Sequence, residues 1–174
     1  MSPKINLKGI IRNIPDFPKP GILFYDITTL LNDRKALKYA VNELVKKFKS
    51  KRIDKVVAVE ARGFIFGGAI AHQLNAGFVP VRKKGKLPWK TNSATYALEY
   101  GTDTLYMHND AIKPKDNILI VDDLLATGGT IKAVTDLVNQ LKGNIKGIIF
   151  LIELLDLKGK EKLKGYPVFS LIKY

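Results

Sequence analysis

The chain contains no cysteine, one tryptophan, two histidines and two methionines among its 174 residues. Without cysteine there is no disulfide, no thiol nucleophile and no thiolate ligand, and a reducing compartment is compatible with that usage. His72 and His108 fall in no ligand-spaced cluster, so no protein-held metal centre is expected. Acids are scarce, 16 against 29 lysines and arginines, giving a formal charge of +13. No apolar run approaches the ~20 residues that a membrane-crossing helix needs. The stretch "MSPKINLKGIIRNIPDFPKPG" lacks the apolar core of a signal peptide. The expectation is a soluble, cytoplasmic protein with no membrane partner. Low-complexity tracts and internal repeats are missing too, and the length favours a single domain over 1–174 with a sizeable core.

What the chain has in excess is lysine. Much of it is scattered or sits where a helix ends, as in Lys46-Lys47-Phe48-Lys49-Ser50-Lys51-Arg52. There it suits the helix dipole and solvent. A solvated basic face is favoured over a nucleic-acid patch, and no nucleic-acid partner is expected. Polyphosphate substrates would use the same charge.

The elements alternate. Ser2-Pro3 suits the start of a short helix, and "IPDFPKPG" is irregular because its prolines and glycine cannot hold one. Asn32 or Asp33 can cap a helix that carries Leu37, Val41, Leu44 and Phe48 on one face. "KVVAVEA" reads as a buried strand, "FIFGGAIAHQL" as an apolar helix and "FVPVRK" as a strand. "GKLPWKTNSA" is a polar loop. "TYALEY" and "TLYMHND" flank Gly101-Thr102-Asp103 as a hairpin. "IKGIIFLIELL" and "YPVFSLIKY" add two strands. Such alternation implies an α/β domain with a mostly parallel, twisted sheet flanked by helices, with ligands beyond the carboxyl ends of its strands.

Two such ends carry unusual residues. In "ILIVDDLLATGGT" an apolar strand stops at Asp122 and Asp123, and Ala126-Thr127-Gly128-Gly129-Thr130 leads into a helix bearing Ile131, Val134, Val138 and Leu141, with Gly143 as its stop. Solvated acids and an ordinary turn would account for each half alone. Together they suit a phosphate on the helix start and a vicinal diol on the carboxylates. "VAVEARGF" repeats the strand-to-helix step, with Arg62 and backbone amides open to a second anion or, more simply, with a surface Glu–Arg pair. "VRKKGKLP" supplies Arg82, Lys83, Lys84 and Lys86, either a solvated loop or a polyphosphate clamp. Glu99 in "ALEYG" is a polar-face strand residue or a general acid. Phe24 and Tyr25 are core aromatics or a stacking surface for a flat base.

Taken together, "VDDLLATGGT", "EARGFIFG", "VRKKGKLP", "YALEYGTD" and "DFPKPGILFYDIT" resemble the type I phosphoribosyltransferases, and among them the adenine phosphoribosyltransferases, from about Ile14 to the tail. The resemblance implies transfer of the phosphoribosyl group of 5-phosphoribosyl 1-diphosphate (PRPP) to adenine, giving AMP and pyrophosphate. Magnesium would be bound mainly with PRPP or pyrophosphate, and the chain would form a homodimer. It implies a small amino-terminal hood over 1–33 and a flexible β-hairpin lid with its loop at 84–94, where Trp89 is either a surface residue or a cap. By the same resemblance Ala126, Thr127, Gly128, Gly129 and Thr130 bind the 5′-phosphate, and Asp122 and Asp123 act on the ribose hydroxyls. Ala61, Arg62, Arg82, Lys83 and Lys86 meet pyrophosphate, with Arg82 supplied by the neighbouring subunit and a cis peptide expected at Ala61. Leu23, Phe24, Tyr25 and Leu124 take the adenine, and Glu99 is the acid beside the purine. Tyr25 departs from the family's arginine, which bears on base affinity. A PRPP- or RNA-binding regulator and a 6-oxopurine enzyme are the other classes; the retained Glu99, the complete lid motif and the adenine-type hood weigh against them.

Overall fold

The structure is a computed structural model that describes residues 5–97 and 101–174. It divides into two units, Met1–Glu43 and Leu44–Tyr174.

In the first unit β1 (Arg12–Ile14) pairs antiparallel with β2 (Phe24–Asp26), Asn13 facing Tyr25. The proline-rich connection is irregular, as its composition requires. Gly21 adopts φ 84°, and its N–H donates to the Asp16 carboxylate at 2.7 Å. Phe17 meets Phe24 edge-on, with ring centroids 5.1 Å apart. The helix expected near Ser2-Pro3 has its start outside the described residues. Residues 5–11 form hydrogen-bonded turns instead, with the Ile10 N–H on the Leu7 carbonyl. α1 (Thr28–Asn32) buries Leu30. α2 (Arg34–Lys46) starts at the expected cap: the Asp33 carboxylate accepts the N–H groups of Lys35 and Ala36 at 2.8 and 3.0 Å. Those amides, Ala36 first, hold the Asp33 carboxyl below its ordinary range. The predicted face of α2 is buried at Val41 and Leu44 and partly at Leu37, whereas Phe48, also buried, lies beyond the helix end at Lys46.

The second unit carries β3 (Lys55–Val59), α3 (Arg62–Leu74), β4 (Gly77–Lys83), β5 (Thr91–Ala97), β6 (Thr102–His108), β7 (Asn117–Leu125), α4 (Gly129–Gln140), β8 (Asn144–Glu153) and β9 (Val168–Lys173). They form a seven-stranded sheet in the order β5-β6-β4-β3-β7-β8-β9. β4, β3, β7, β8 and β9 are parallel, and the hairpin β5–β6 adds the antiparallel edge. The central strands read as unbroken apolar runs because helices cover both faces of a parallel sheet. Val57, Ile120, Val134 and Phe150 are fully buried in its core.

Three boundaries differ from expectation. β7 does not stop at the acids: Asp122 pairs with Phe150 and Leu125 with Glu153, so the ladder to β8 carries the strand past both carboxylates. The lid loop is shorter than 84–94, because β5 begins at Thr91 and pairs with β6 from Thr91–His108 to Ala97–Thr102. α4 ends at Gln140 rather than at Gly143, and Lys142 takes the left-handed turn with φ 59°. Two 3₁₀ turns, Leu155–Leu157 and Gly159–Leu163, precede β9 and had no periodic signal in the sequence.

Candidate active site

The strand order brings the carboxyl ends of β3, β4 and β7 side by side, which is where an open parallel sheet places its ligands. A cleft of about 450 Å³ opens there, lined by Glu60, Ala61, Arg62, Lys83, Tyr96, Asp122, Asp123, Leu124, Ala126 and Thr130 among others.

The two acids form its floor. The Asp123 N–H donates to the Asp122 carboxylate at 2.9 Å. Gly63, at the start of α3, lets that carboxylate approach: a Cβ there would stand 2.7 Å from Asp122 Oδ1. Asp123 is 6% exposed, and its Oδ2 lies 2.8 Å from Arg62 Nε. Burial pushes the Asp122 carboxyl well above its ordinary range, and the neighbouring Asp123 charge adds to it. Burial raises Asp123 as well, opposed by the Arg62 guanidinium. Two carboxylates this close do not both ionise easily without cations or hydroxyl donors.

The loop 126–130 connects β7 to α4. Gly128 holds φ 79° at the N-cap, and no side chain caps the helix, so the first-turn amides are open to an anion. Behind the loop stands Gly159. A Cβ on it would sit 2.1 Å from the Ala126 carbonyl oxygen, and a Cβ on Gly128 would sit 2.4 Å from the Gly159 carbonyl oxygen. Neither position tolerates a side chain without moving the loop. Lys160 anchors the same segment, its ammonium 2.7 Å from the buried Glu153 carboxylate.

The basic side is more tightly bound than a solvated loop. Arg82 donates through Nε and Nη2 to one Glu60 oxygen at 3.0 and 2.9 Å, and the Lys83 N–H donates to the other at 2.6 Å. Burial would raise the Glu60 carboxyl, but the Lys83 amide and Arg82 outweigh it and hold the group low. Arg82 also donates to the Lys86 carbonyl at 3.2 Å. The Glu60–Ala61 peptide is cis, where the resemblance predicted one at Ala61. Lys83 reaches the Asp103 carboxylate at 3.1 Å, and Tyr96 donates its hydroxyl to the same oxygen at 3.3 Å.

The cleft therefore unites Asp122, Asp123, Leu124, Ala126, Thr130, Ala61, Arg62 and Lys83 from the sequence-derived set. Gly128 and Gly129 shape the loop, Thr127 is exposed, and Arg82 and Lys86 stand beside the cleft through Glu60. Leu23, Phe24 and Tyr25 belong to the first unit, Leu23 exposed and the other two partly buried. Glu99 lies outside the described residues. Three residues went unnoticed in the sequence. Tyr96 and Asp103 face each other only once the hairpin register is fixed, and Gly159 gives no local signal because its contact crosses the chain. Trp89 is 64% exposed.

The phosphoribosyl transferase domain family matches residues 28–173. The adenine phosphoribosyltransferase of Brachyspira hyodysenteriae is 56% identical over 170 residues, covering 98% of this chain and 100% of that protein. The crystal structure of adenine phosphoribosyltransferase from Thermoanaerobacter pseudethanolicus superposes with a TM-score of 0.94 at 54% identity, over 97% of this chain and 98% of that one. The enzyme from Saccharomyces cerevisiae, solved with an imino-altritol bisphosphate and adenine, is similar with a TM-score of 0.90 at 41% identity, over 95% and 96%.

Proposed function

We infer that this chain, which belongs to the phosphoribosyltransferase family, is an adenine phosphoribosyltransferase that makes AMP and pyrophosphate from adenine and PRPP. The observation that carries the reading is one cleft, in a chain so similar to such enzymes, lined by both strand-end anion loops and the paired acids.

Roles follow from the chemistry of the lining. The amides of 126–130 and the Thr130 hydroxyl take the 5′-phosphate at the open helix start. Asp122 and Asp123 accept hydrogen bonds from the ribose hydroxyls. Ala61, Arg62 and Lys83 take the pyrophosphate, with Arg82 and Lys86 beside them. Arg62 changes partner on the way, because in the free chain it is held by Asp123. Leu124 flanks the base, and the family resemblance assigns Leu23, Phe24 and Tyr25 to adenine as well.

No group of three or more acid or histidine ligands occurs among the described residues. Magnesium would be bound mainly with PRPP or pyrophosphate, and the carboxylate oxygens of Asp122 and Asp123 in the cleft are donors of the kind it takes. When bound, magnesium neutralises charge on the leaving pyrophosphate. As the bond from the anomeric carbon to pyrophosphate lengthens, the ribosyl ring becomes cationic and the two carboxylates face that charge. Adenine attacks from the opposite side with inversion, and Glu99 carries the proton at the purine ring. The hairpin and the loop 84–90 exclude water from the reacting centre. The active species is a cytoplasmic homodimer, and sedimentation velocity reads its size.

The deciding assay supplies the purified chain with PRPP, magnesium and each base separately. Adenine is converted to AMP far faster than hypoxanthine or guanine. Equal rates on all three, or none, overturn the assignment.

A further inference from the structure

Asp103 is absent from the cleft lining and yet joins two residues that form it. Its position follows from the hairpin: Tyr96 on β5 faces Asp103 on β6, and Lys83 on β4 faces Leu105, two residues further along β6 on the same face. Three donors converge on the carboxylate. Lys83 and Tyr96 reach Oδ2 at 3.1 and 3.3 Å, and the Thr104 N–H reaches Oδ1 at 2.8 Å. The Lys83 side chain is 61% exposed, against 25% for Asp103. An exposed lysine otherwise samples many rotamers. Tyr96 passes the constraint on through its ring, 3.5 Å from where a Cβ of Gly129 would stand, and it lines the cleft together with Thr130. Contacts thus run from Lys83 through Asp103 and Tyr96 to the start of α4.

We propose that Asp103 is a positioning residue for PRPP, fixing the Lys83 ammonium at the cleft and tying the hairpin, through Tyr96, to the 5′-phosphate loop. The inference rests on the reading of the cleft as a PRPP site. An ammonium has three donors; one serves Asp103 and the others remain for an arriving pyrophosphate. Lys83 lines the cleft and Asp103 does not, so the anion meets the cation first. Asp103 is itself satisfied by its donors: Lys83 foremost, then the Thr104 amide and Tyr96, hold its carboxyl below the ordinary range. The same contact raises the Lys83 ammonium above its own.

The test is a cycle of Asp103→Asn, Lys83→Met and the double variant, read by kcat and KM for PRPP and by calorimetric binding of inorganic pyrophosphate. Asp103→Asn raises KM for PRPP about three- to fivefold, the size of an exposed ion pair, with kcat nearly unchanged and pyrophosphate affinity lowered in parallel. In the Lys83→Met background the same substitution has little further effect, because the lysine through which it acts is gone. Asp103→Glu, which keeps the charge, recovers most of the loss. If Asp103→Asn leaves KM unchanged in an active parent, or weakens binding equally with and without Lys83, the inference falls alone. An inactive parent that binds no pyrophosphate removes the functional reading and this inference with it.

Discussion

At the scale of single residues the site is governed by two acids that the fold keeps close despite their charge. Asp123 is ion-paired with Arg62 and nearly buried, and in its proposed role Asp123→Asn removes one charge-assisted acceptor from the ribose. The expected loss in kcat/KM corresponds to about 1.5–3 kcal/mol, with the fold intact by circular dichroism. Asp122 makes a different prediction. Its folded carboxyl titrates above the ordinary value of 3.8, by burial first and by Asp123 second. Between those two values the folded chain keeps a proton that the unfolded chain has lost, so stability falls as pH rises through that window. Asn cannot ionise and is spared this loss. Asp122→Asn should therefore melt higher than the parent near neutral pH, with the gap closing towards about pH 4, while turnover drops. Differential scanning calorimetry at both pH values checks it. The identity of these residues was legible in "VDDLLATGGT"; their partners were not. Arg62 reads in sequence as an anion ligand or as half of a surface Glu–Arg pair, whereas the folded chain pairs it with Asp123, because a strand end and a helix start separated along the chain meet only in the folded sheet.

At the scale of elements, periodicity revealed most strands and helices, and the misses have a common cause. The length of β7 and the start of β5 were set by ladders to β8 and β6, partners that no local pattern displays. The segment Gly159–Leu163 is the clearest case. It has neither the period of a helix nor that of a strand, yet it stands directly behind the phosphate loop. Gly159→Ala should force the Ala126 carbonyl away from a contact of 2.1 Å. The expected outcome is a KM for PRPP raised at least about tenfold and a loss of about 1–3 kcal/mol in stability, the range of overpacking. Gly165 has φ 94° and open space around it, so a fall in PRPP affinity at Gly159 that Gly165→Ala fails to reproduce separates loop displacement from general backbone strain. Steady-state kinetics and urea melts on the two variants decide it.

At the scale of the molecule, the charge of +13 acts on substrates of opposite sign. PRPP is a polyanion and adenine is neutral, so kcat/KM for PRPP should fall steeply between low and physiological salt while that for adenine changes little. A salt series at constant magnesium measures both slopes, and equal slopes would remove charge steering from the account. The fold class and the strand-end location of the cleft were legible in the sequence; the meeting of Tyr96 with Asp103 was not, because it depends on hairpin register. α2 begins on a side-chain cap from Asp33, whereas α3 and α4 begin at Ala61 and Gly128 with none. The starts of α3 and α4 belong to segments that border one cleft, and each brings a partial positive charge of roughly half a unit. A sugar with phosphate groups at its two ends acts there as a chelate. Once one end is seated, the other is presented at a high effective concentration. Ribose 5-phosphate and pyrophosphate offered as separate molecules must each lose their own freedom of motion. In the proposed PRPP role the cleft acts as a ruler between two charges, and a bisphosphate of the wrong span is expected to bind weakly whatever its chemistry.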